Sequence, residues 1–403
     1  MSSTVSISRV GKPFTEGTVD KAVRRAVDSS CDFGRIVKPG ASVVIKPNVF
    51  CPSLPPTTTD PRVVVSLIHM AREAGAGQVI VAEGRSISTA KFRSSKGTTR
   101  DCFQASGMFA AVEQAGAEMV FLEEDEFVEV TVPKAVILKK ASVPRTILDT
   151  DVLINVPVMK NHSLALITMG IKNLHGVISD MDKLFGHDYK RLPDKLADIL
   201  RVRKPDLTVL DGIVGQEGDH AELGNPVEMG IIIASTDTVA LDAVGSAVIG
   251  LDPLEVETTA CAAREGLGEA NLDKIEVVGE SIESVRRPFA RPDIEVSNEK
   301  FPGLRIYAGD YCRGCEYYIR RGLDKLAQSG DIDPERPIAI VFGKEPNVPD
   351  ATNIPTLIIG DCAMSSETVK PLRNRLFLEG RLRIVYTCPP MEFRMRAKEL
   401  VKI

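Results

Sequence analysis

Short β-branched runs alternate along this chain with stretches whose apolar residues recur every third or fourth position, which predicts strands and helices in turn. Ser42–Lys46 reads as a buried strand that ends at Pro47-Asn48. Asp60 is placed to cap a helix with Pro61 at its first position, and the helix runs to about Gly75. Gln78–Ala82 is the next strand, with Glu83, Gly84 and Arg85 just past it. Such a strand–loop–helix–strand unit predicts a right-handed parallel crossover. Phe103–Ala115 reads as a helix and Glu118–Leu122 as a strand. Glu123–Pro144 alternates apolar and polar residues but is interrupted by Pro133 and Pro144, which predicts an antiparallel hairpin outside the core sheet. Asp151–Val156 returns as a core strand.

The stretch from Asn155 to His187 carries the densest candidate chemistry. It holds His162, His175 and His187, together with Lys160, Lys172, Lys183 and Asp182. Leu164, Ile167, Ile171, Leu174 and Ile178 follow the spacing of a helix, so Thr168, Lys172, His175 and Ser179 are expected on one adjoining line. The apolar stripe would pack inward and the polar line would edge a cleft.

Further on, Pro193–Arg203 is expected as a helix and Leu207–Leu210 as a strand that closes on Asp211-Gly212. A Gly-rich loop is expected over Gly212–Gly230. There Asp219, His220 and Glu222 invite either a divalent cation or simple solvation, and solvation is favoured. Met229–Ala234, Asp237–Gly250, Pro253–Gly266 and Ile275–Val278 continue the strand–helix alternation, with Asp237 as a helix cap and Asp242 available to hold a Lys or His. The Pro- and charge-rich Pro288–Pro302 marks a boundary. The expected fold class is α/β, a mostly parallel sheet with flanking helices over residues 1–297, plus a smaller C-terminal α/β domain over 301–403. In such sheets ligands sit beyond the C-terminal strand ends. Lys46, Asn48, Glu83, Arg85, Lys160, His162 and Asp211 all follow strands.

Composition narrows the classes. At 403 residues the chain exceeds one ordinary core, and 43% apolar with 26% charged residues is globular usage. A net charge of −5 argues against nucleic acid or an anionic membrane as partner. The start has no apolar signal core, and no apolar run is long enough to span a bilayer, so a cytoplasmic protein is expected. In that compartment eight cysteines point to metal ligands rather than disulfides.

Four of those cysteines are grouped. Cys312 and Cys315 open a predicted helix, while Cys362 and Cys388 each follow a predicted strand. Four thiolates suit zinc or a [4Fe–4S] cluster, and the single close pair with wide later gaps leans toward iron–sulfur. Cys31, Cys51, Cys102 and Cys261 lack such grouping and read as small apolar residues.

Several motifs carry resemblances. The upstream C-x-x-C, then Gly360-Asp361-Cys362-Ala363 and Cys388-Pro389-Pro390, resemble the cluster-binding pattern of the small iron–sulfur subunit of NADH–quinone oxidoreductase and related hydrogenase subunits. That resemblance implies Cys312, Cys315, Cys362 and Cys388 as ligands. KPNVF at 46–50, TTDP at 58–61, PVMKNHS at 157–163, GIKNLHG at 170–176, KPDLTVLDG at 204–212 and STDTVALDA at 235–243 resemble the domain of unknown function 362 family, whose members often carry an iron–sulfur domain. A more distant resemblance, to the catalytic domain of nickel-pincer lactate racemase, rests on His162, Lys172 and His187 at gaps of ten and fifteen. It implies an acid/base, a tether or charge partner, and a ligand in that order. The nickel-pincer nucleotide itself is not expected, because the intervening glycines and phosphate-binding residues do not match.

Together these readings predict a [4Fe–4S] enzyme acting on a small anionic metabolite. His162, Lys172 and Lys160 are the expected catalytic residues, and Lys46, Asn48, Arg85 and His187 the expected substrate-binding residues. The alternatives are a racemase-like proton-transfer enzyme with a structural cluster, and an electron-transfer or assembly protein serving a redox partner. A homodimer is an allowed assembly.

Overall fold

The computed structural model describes residues 3–86, 97–219, 224–349 and 352–401. The chain divides into two compact units. Residues 1–187 and 191–292 form the first; residues 293–403 form the second and are joined by the short segment Asp188–Lys190.

In the first unit the central sheet runs, in spatial order, Ile275–Gly279, Ser3–Arg9, Gly224–Ser235, Leu207–Gly218, Val152–Val156, Ser42–Pro47, Gln78–Glu83 and Glu118–Phe121. From Leu207 outward to Glu118 every pairing is parallel, as the strand–helix alternation predicts. Gly224–Ser235 is antiparallel to both its neighbours. The sheet is therefore mixed and mainly parallel. Val43, Ile45, Val81, Ile154 and Val209 point into one core against Val63, Val64, Leu67 and Ile68 of the helix Pro61–Glu73. Asp60 caps that helix by accepting the Arg62 amide at 2.9 Å, with Pro61 at its start. Asp237 caps Thr238–Val248 by accepting the Val239 and Ala240 amides. Phe127–Thr131 and Lys140–Pro144 form the separate antiparallel hairpin.

Three stretches depart from the sequence expectation. The helix Glu16–Ser30, opened by a Thr15–Thr18 capping box, and the strand Ser3–Arg9 were not anticipated. The Gly-rich stretch after Asp211 is not an open loop: strands run to Gly218 and resume at Gly224. His220 and Glu222, two of the three residues considered for a cation, lie outside the described residues.

The most instructive departure is the central stretch. It forms no continuous helix. Val158–His162 and Leu166–Thr168 pair antiparallel, and only then do the helical turns Gly170–Asn173 and Leu174–Val177 follow. Yet Leu164, Ile167, Ile171, Leu174 and Ile178 are all buried, as their spacing implied. The period reported burial, and the backbone reached it another way. Asp242 supplies the reason: its carboxylate accepts the Gly170 amide at 2.6 Å and the Ile171 amide at 3.0 Å, which starts the helix at residue 170 rather than earlier. Asp242 thus holds backbone, not a Lys or His, and burial pushes its carboxyl up to about 7 against those two amides.

The second unit is a four-stranded parallel sheet in the order Leu304–Ala308, Ile338–Phe342, Thr356–Ile359, Leu382–Val385. One face packs Ile319 and Leu323 of the helix Arg313–Ser329 with Phe393 and Ala397 of Met391–Leu400. The other face packs Leu372 and Leu376 of Lys370–Leu378.

A Cβ at Gly170 would lie 2.6 Å from Thr238 Cγ2 and 2.9 Å from Asp242 Oδ1. Gly170→Ala is therefore expected to destabilise the first unit by about 1–3 kcal/mol, read from the urea midpoint. An unchanged midpoint would show that Asp242 does not define this turn.

Candidate functional site

Adjacent parallel strands deliver Lys46 and Glu83 side by side at their C-terminal ends. Lys46 Nζ lies 2.8 Å from Glu83 Oε1 and donates to the Pro47 carbonyl at 3.0 Å. Glu83 also accepts the Val49 amide at 3.2 Å and the Gly84 amide at 2.8 Å. Both side chains are buried. Burial lowers the Lys46 pKa, and the neighbouring Glu83 charge works against that shift. Gly176 closes over this pair: a Cβ there would overlap Glu83 Oε1 and lie 2.9 Å from Lys46 Cε.

Lys160 is equally buried but touches no carboxylate. Its ammonium donates to Asn48 Oδ1 at 2.6 Å and the Thr57 carbonyl at 2.8 Å, and lies 4.4 Å from the Phe50 ring centre. A relay of amides leads away from it. Asn48 donates to Asn173 Oδ1 at 2.9 Å, Asn173 to Asn155 Oδ1 at 2.8 Å, and Asn155 to the Gly170 carbonyl at 2.9 Å. The relay ties the loop after Pro47 to the turn that carries Lys172. Burial brings Lys160 down to about 7, and the nearby Lys172 charge adds to the shift.

Around that turn gather further cations. Lys195 donates to the carbonyls of Asp182, Lys183 and Phe185 at 3.3, 2.8 and 2.7 Å. Lys183 donates to the Arg85 carbonyl at 2.6 Å and lies 3.8 Å from Asp180. Arg85 reaches Asp180 at 3.4 Å and Glu123 at 3.8 Å. Burial brings Lys172 and Lys183 each down to about 8. The His175 and His187 rings lie 5.1 Å apart. Burial, then the cations Lys195, Lys172 and Lys183 with His187, hold His175 well below the ordinary imidazole range, so it is neutral near pH 7.

The residues singled out from sequence thus fall into two groups. Lys46, Asn48 and Lys160 are buried supports joined to protein partners. Lys172 and His187 are half-buried, and Arg85 is 17% exposed in its side chain. His162 is buried, and its Nδ1 accepts the Leu164 and Ala165 amides at 3.1 and 3.0 Å. That ring shapes the turn between two strands and, when neutral, carries its proton on Nε2. Glu83, Asn155, Asn173 and Gly176 were not proposed as site residues from sequence. Glu83 follows a strand and could have been, whereas Asn173 acquires its role through Asn48, 125 residues away, and Asn155 through Asn173 and the Gly170 carbonyl. Two surface cavities of about 680 and 710 Å³ lie elsewhere in this unit, beside Phe33 and Pro253, and neither is lined by these residues.

In the second unit, Cys312, Cys315, Cys362 and Cys388 all follow C-terminal ends of the parallel strands. Cys312 stands at the N-cap of the helix Arg313–Ser329, with its sulfur beside the Cys315 thiol and the Cys315 and Gly314 amides. Those neighbours, with Lys190 nearby, bring Cys312 down to about 5. The Cys312 hydrogen bond and burial raise Cys315, and Cys388 and Cys362 bear on it as well. The four thiols therefore share the C-terminal end of the sheet. As placed, however, no group of three His, Cys, Asp or Glu among the described residues is closed tightly enough to hold a metal ion. The donor chemistry fits a thiolate-bound iron cluster: four sulfurs, with backbone amides at Cys312 to balance the charge, although the Asp361 carboxylate also bears on Cys388.

Removing one partner of a buried ion pair strands the other. Glu83→Leu is expected to lower stability by about 3–5 kcal/mol in urea unfolding, and Lys46→Met/Glu83→Leu to recover most of the loss. A double variant as unstable as the single one would contradict the pairing.

Among known proteins, a thylakoid-associated protein of Synechocystis sp. is 30% identical over 274 residues, covering 66% of this chain and 81% of that protein. Among solved structures, the lactate racemase apoprotein of Thermoanaerobacterium thermosaccharolyticum is similar at a TM-score of 0.40 and 11% identity, covering 99% of this chain and 81% of that one. A structural-genomics crystal structure of a Thermotoga maritima protein gives 0.37 and 13%, covering 94% and 98%. At those scores neither structure carries an argument about this chain. Residues 43–247, which contain the whole lysine cluster, match the family described as domain of unknown function (DUF362), and the chain belongs to that family.

Proposed function

We propose that this protein is an enzyme whose first unit binds a small anionic substrate and whose second unit holds a [4Fe–4S] cluster on Cys312, Cys315, Cys362 and Cys388. The observation that carries the first half is a charge imbalance. Lys46, Lys160 and Lys183 lie around the buried Glu83, which pairs with Lys46; Lys183 also has Asp180 at 3.8 Å and Lys160 the buried Asp211 nearby, but Lys172, whose charge bears on Lys160, has no ion pair among the described residues. Buried cations without counter-ions are unfavourable unless something offsets them, and an anionic ligand does so directly. Lys172 is the charged group a ligand meets, with Arg85 held nearby by Asp180 and Glu123, while Lys46, Asn48 and Lys160 hold the loops in place. His187 lies at the same rim and supplies an imidazole for hydrogen bonding.

The cysteines at the C-terminal end of the second sheet support the second half. Helix amides stabilise thiolate at Cys312 before any metal arrives, as a ligand requires. When bound, such a cluster supplies one-electron transfer. The chain's own part is to place thiolates at one end of the sheet and to offer Lys190 and backbone N–H groups to the resulting negative charge.

Two outcomes test these halves separately. Anaerobic purification is expected to give a brown protein with about four irons per chain, lost in Cys362→Ser and Cys388→Ser; a colourless protein with one zinc would overturn the cluster. Inorganic phosphate or malonate is expected to raise the thermal midpoint, most strongly below pH 8. Lys172 carries its charge below about 8 and loses it above, whereas an ordinary lysine stays charged to about 10. For the ligand-free protein the sign reverses. The unfolded chain binds more protons at these lysines between about pH 8 and 10, so stability is expected to rise over that window. An anion effect that persists unchanged at pH 9.5 would count against the site.

A further inference from the structure

We propose that Lys172 and His175 together form the oxyanion-binding subsite of this cleft, taking the carboxylate or phosphate group of the ligand between the Lys172 ammonium and His175 Nε2. This rests on the anion-binding reading above and adds the residues that do the binding.

His175 is 9% exposed, and its Nε2 is buried with no hydrogen-bond partner among the described residues. No backbone carbonyl among the described residues meets Nε2. Buried polar atoms are almost always paired, so an orphaned one calls for a ligand or water. The groups that bear on the ring are Lys195, His187, Lys172 and Lys183, and none is a carboxylate.

Those cations are not equivalent. Lys195 is committed to three carbonyls, and Lys183 to the Arg85 carbonyl and Asp180. Lys172 makes no hydrogen bond or ion pair among the described residues, and it remains half-exposed. It stands three positions before His175 on consecutive helical turns, a spacing that puts the two side chains next to each other. Thr168, whose hydroxyl is also buried without a partner, precedes the same turn and sits opposite Lys160 in the strand pair. Three polar positions in sequence, 168, 172 and 175, are thus left unsatisfied where every other lysine nearby is engaged.

The two donors divide the work. An ammonium supplies charge. A neutral imidazole supplies one directed N–H and no competing charge. Together they meet two oxygens of one carboxylate or phosphate group. Arg85 cannot take this part, since it is already shared between Asp180 and Glu123.

The test is calorimetric titration of inorganic phosphate and of malonate into the full-length wild type, Lys172→Met and His175→Gln. The wild type is expected to bind one of the two anions, and which one it prefers identifies the group as phosphate or carboxylate. Each variant is expected to bind at least about tenfold more weakly, the loss of one charge-assisted hydrogen bond. Wild type binding neither anion would overturn the anion reading and this subsite with it. Binding in the wild type that is unchanged in Lys172→Met would overturn the subsite alone. Should His175→Gln fail to fold, the imidazole ¹⁵N spectrum of the wild type decides: a His175 Nε2 resonance that shifts on saturation supports the assignment, and one that does not move overturns it.

Discussion

The Lys46 ammonium and the Glu83 carboxylate leave water together, and much of the first unit is arranged so that they can. Each is delivered by the end of a neighbouring parallel strand, so the pairing of those strands already brings the charges into range. Their burial in turn dictates what covers them. Gly84 and Gly176 approach without side chains, because a Cβ on either would meet the backbone or the pair itself. A buried pair of this kind does not by itself make a protein more stable than a hydrophobic substitute would. Its retention here is better understood through the cations next to it. Lys160 and Lys183 sit within reach of the same carboxylate, Lys172 lies beside Lys160, and all three have their proton affinity lowered by burial.

Neutral amides do the rest of the positioning. From Lys160 through Asn48, Asn173 and Asn155 to the Gly170 carbonyl, every donor faces an acceptor and no charge is spent. Asp242 completes the arrangement from the other side by holding the Gly170 and Ile171 amides. The turn that carries Lys172 and His175 is thereby fixed from both ends, while the Lys172 ammonium and His175 Nε2 have no hydrogen-bond partner among the described residues. The proposed anion site would thus rest on a fully bonded support, which is what preorganisation requires.

The second unit uses the same geometry for different chemistry. Loops beyond the C-terminal ends of parallel strands again collect the reactive side chains, here four cysteines rather than lysines. The helix dipole and amides at Cys312 favour thiolate, whereas burial and the neighbouring sulfur keep Cys315 protonated. The thiols are gathered but not closed, consistent with a ligand set that completes itself on binding.

Much of this was readable from residue order. The β-branched runs named the parallel strands, Asp60 and Asp237 announced their helices, and strand-following polar residues marked which loops would carry chemistry. These features depend on near neighbours, whose preferences act locally. The helix expected across Leu164–Ile178 shows the limit: its apolar spacing correctly foretold which residues are buried, but the backbone there is a strand pair followed by two tight turns. Residue order by itself also named lysines and cysteines that the fold brings near one another. Only the tertiary structure decided which lysines are spent and which are available, that His162 serves a turn while His175 is left with an unsatisfied nitrogen, and that Glu83 is the shared carboxylate. The reason is physical. Whether a charge is paired or orphaned depends on partners such as Asn48 and Asn173, 125 residues apart in the chain, and no local pattern records who will be standing opposite.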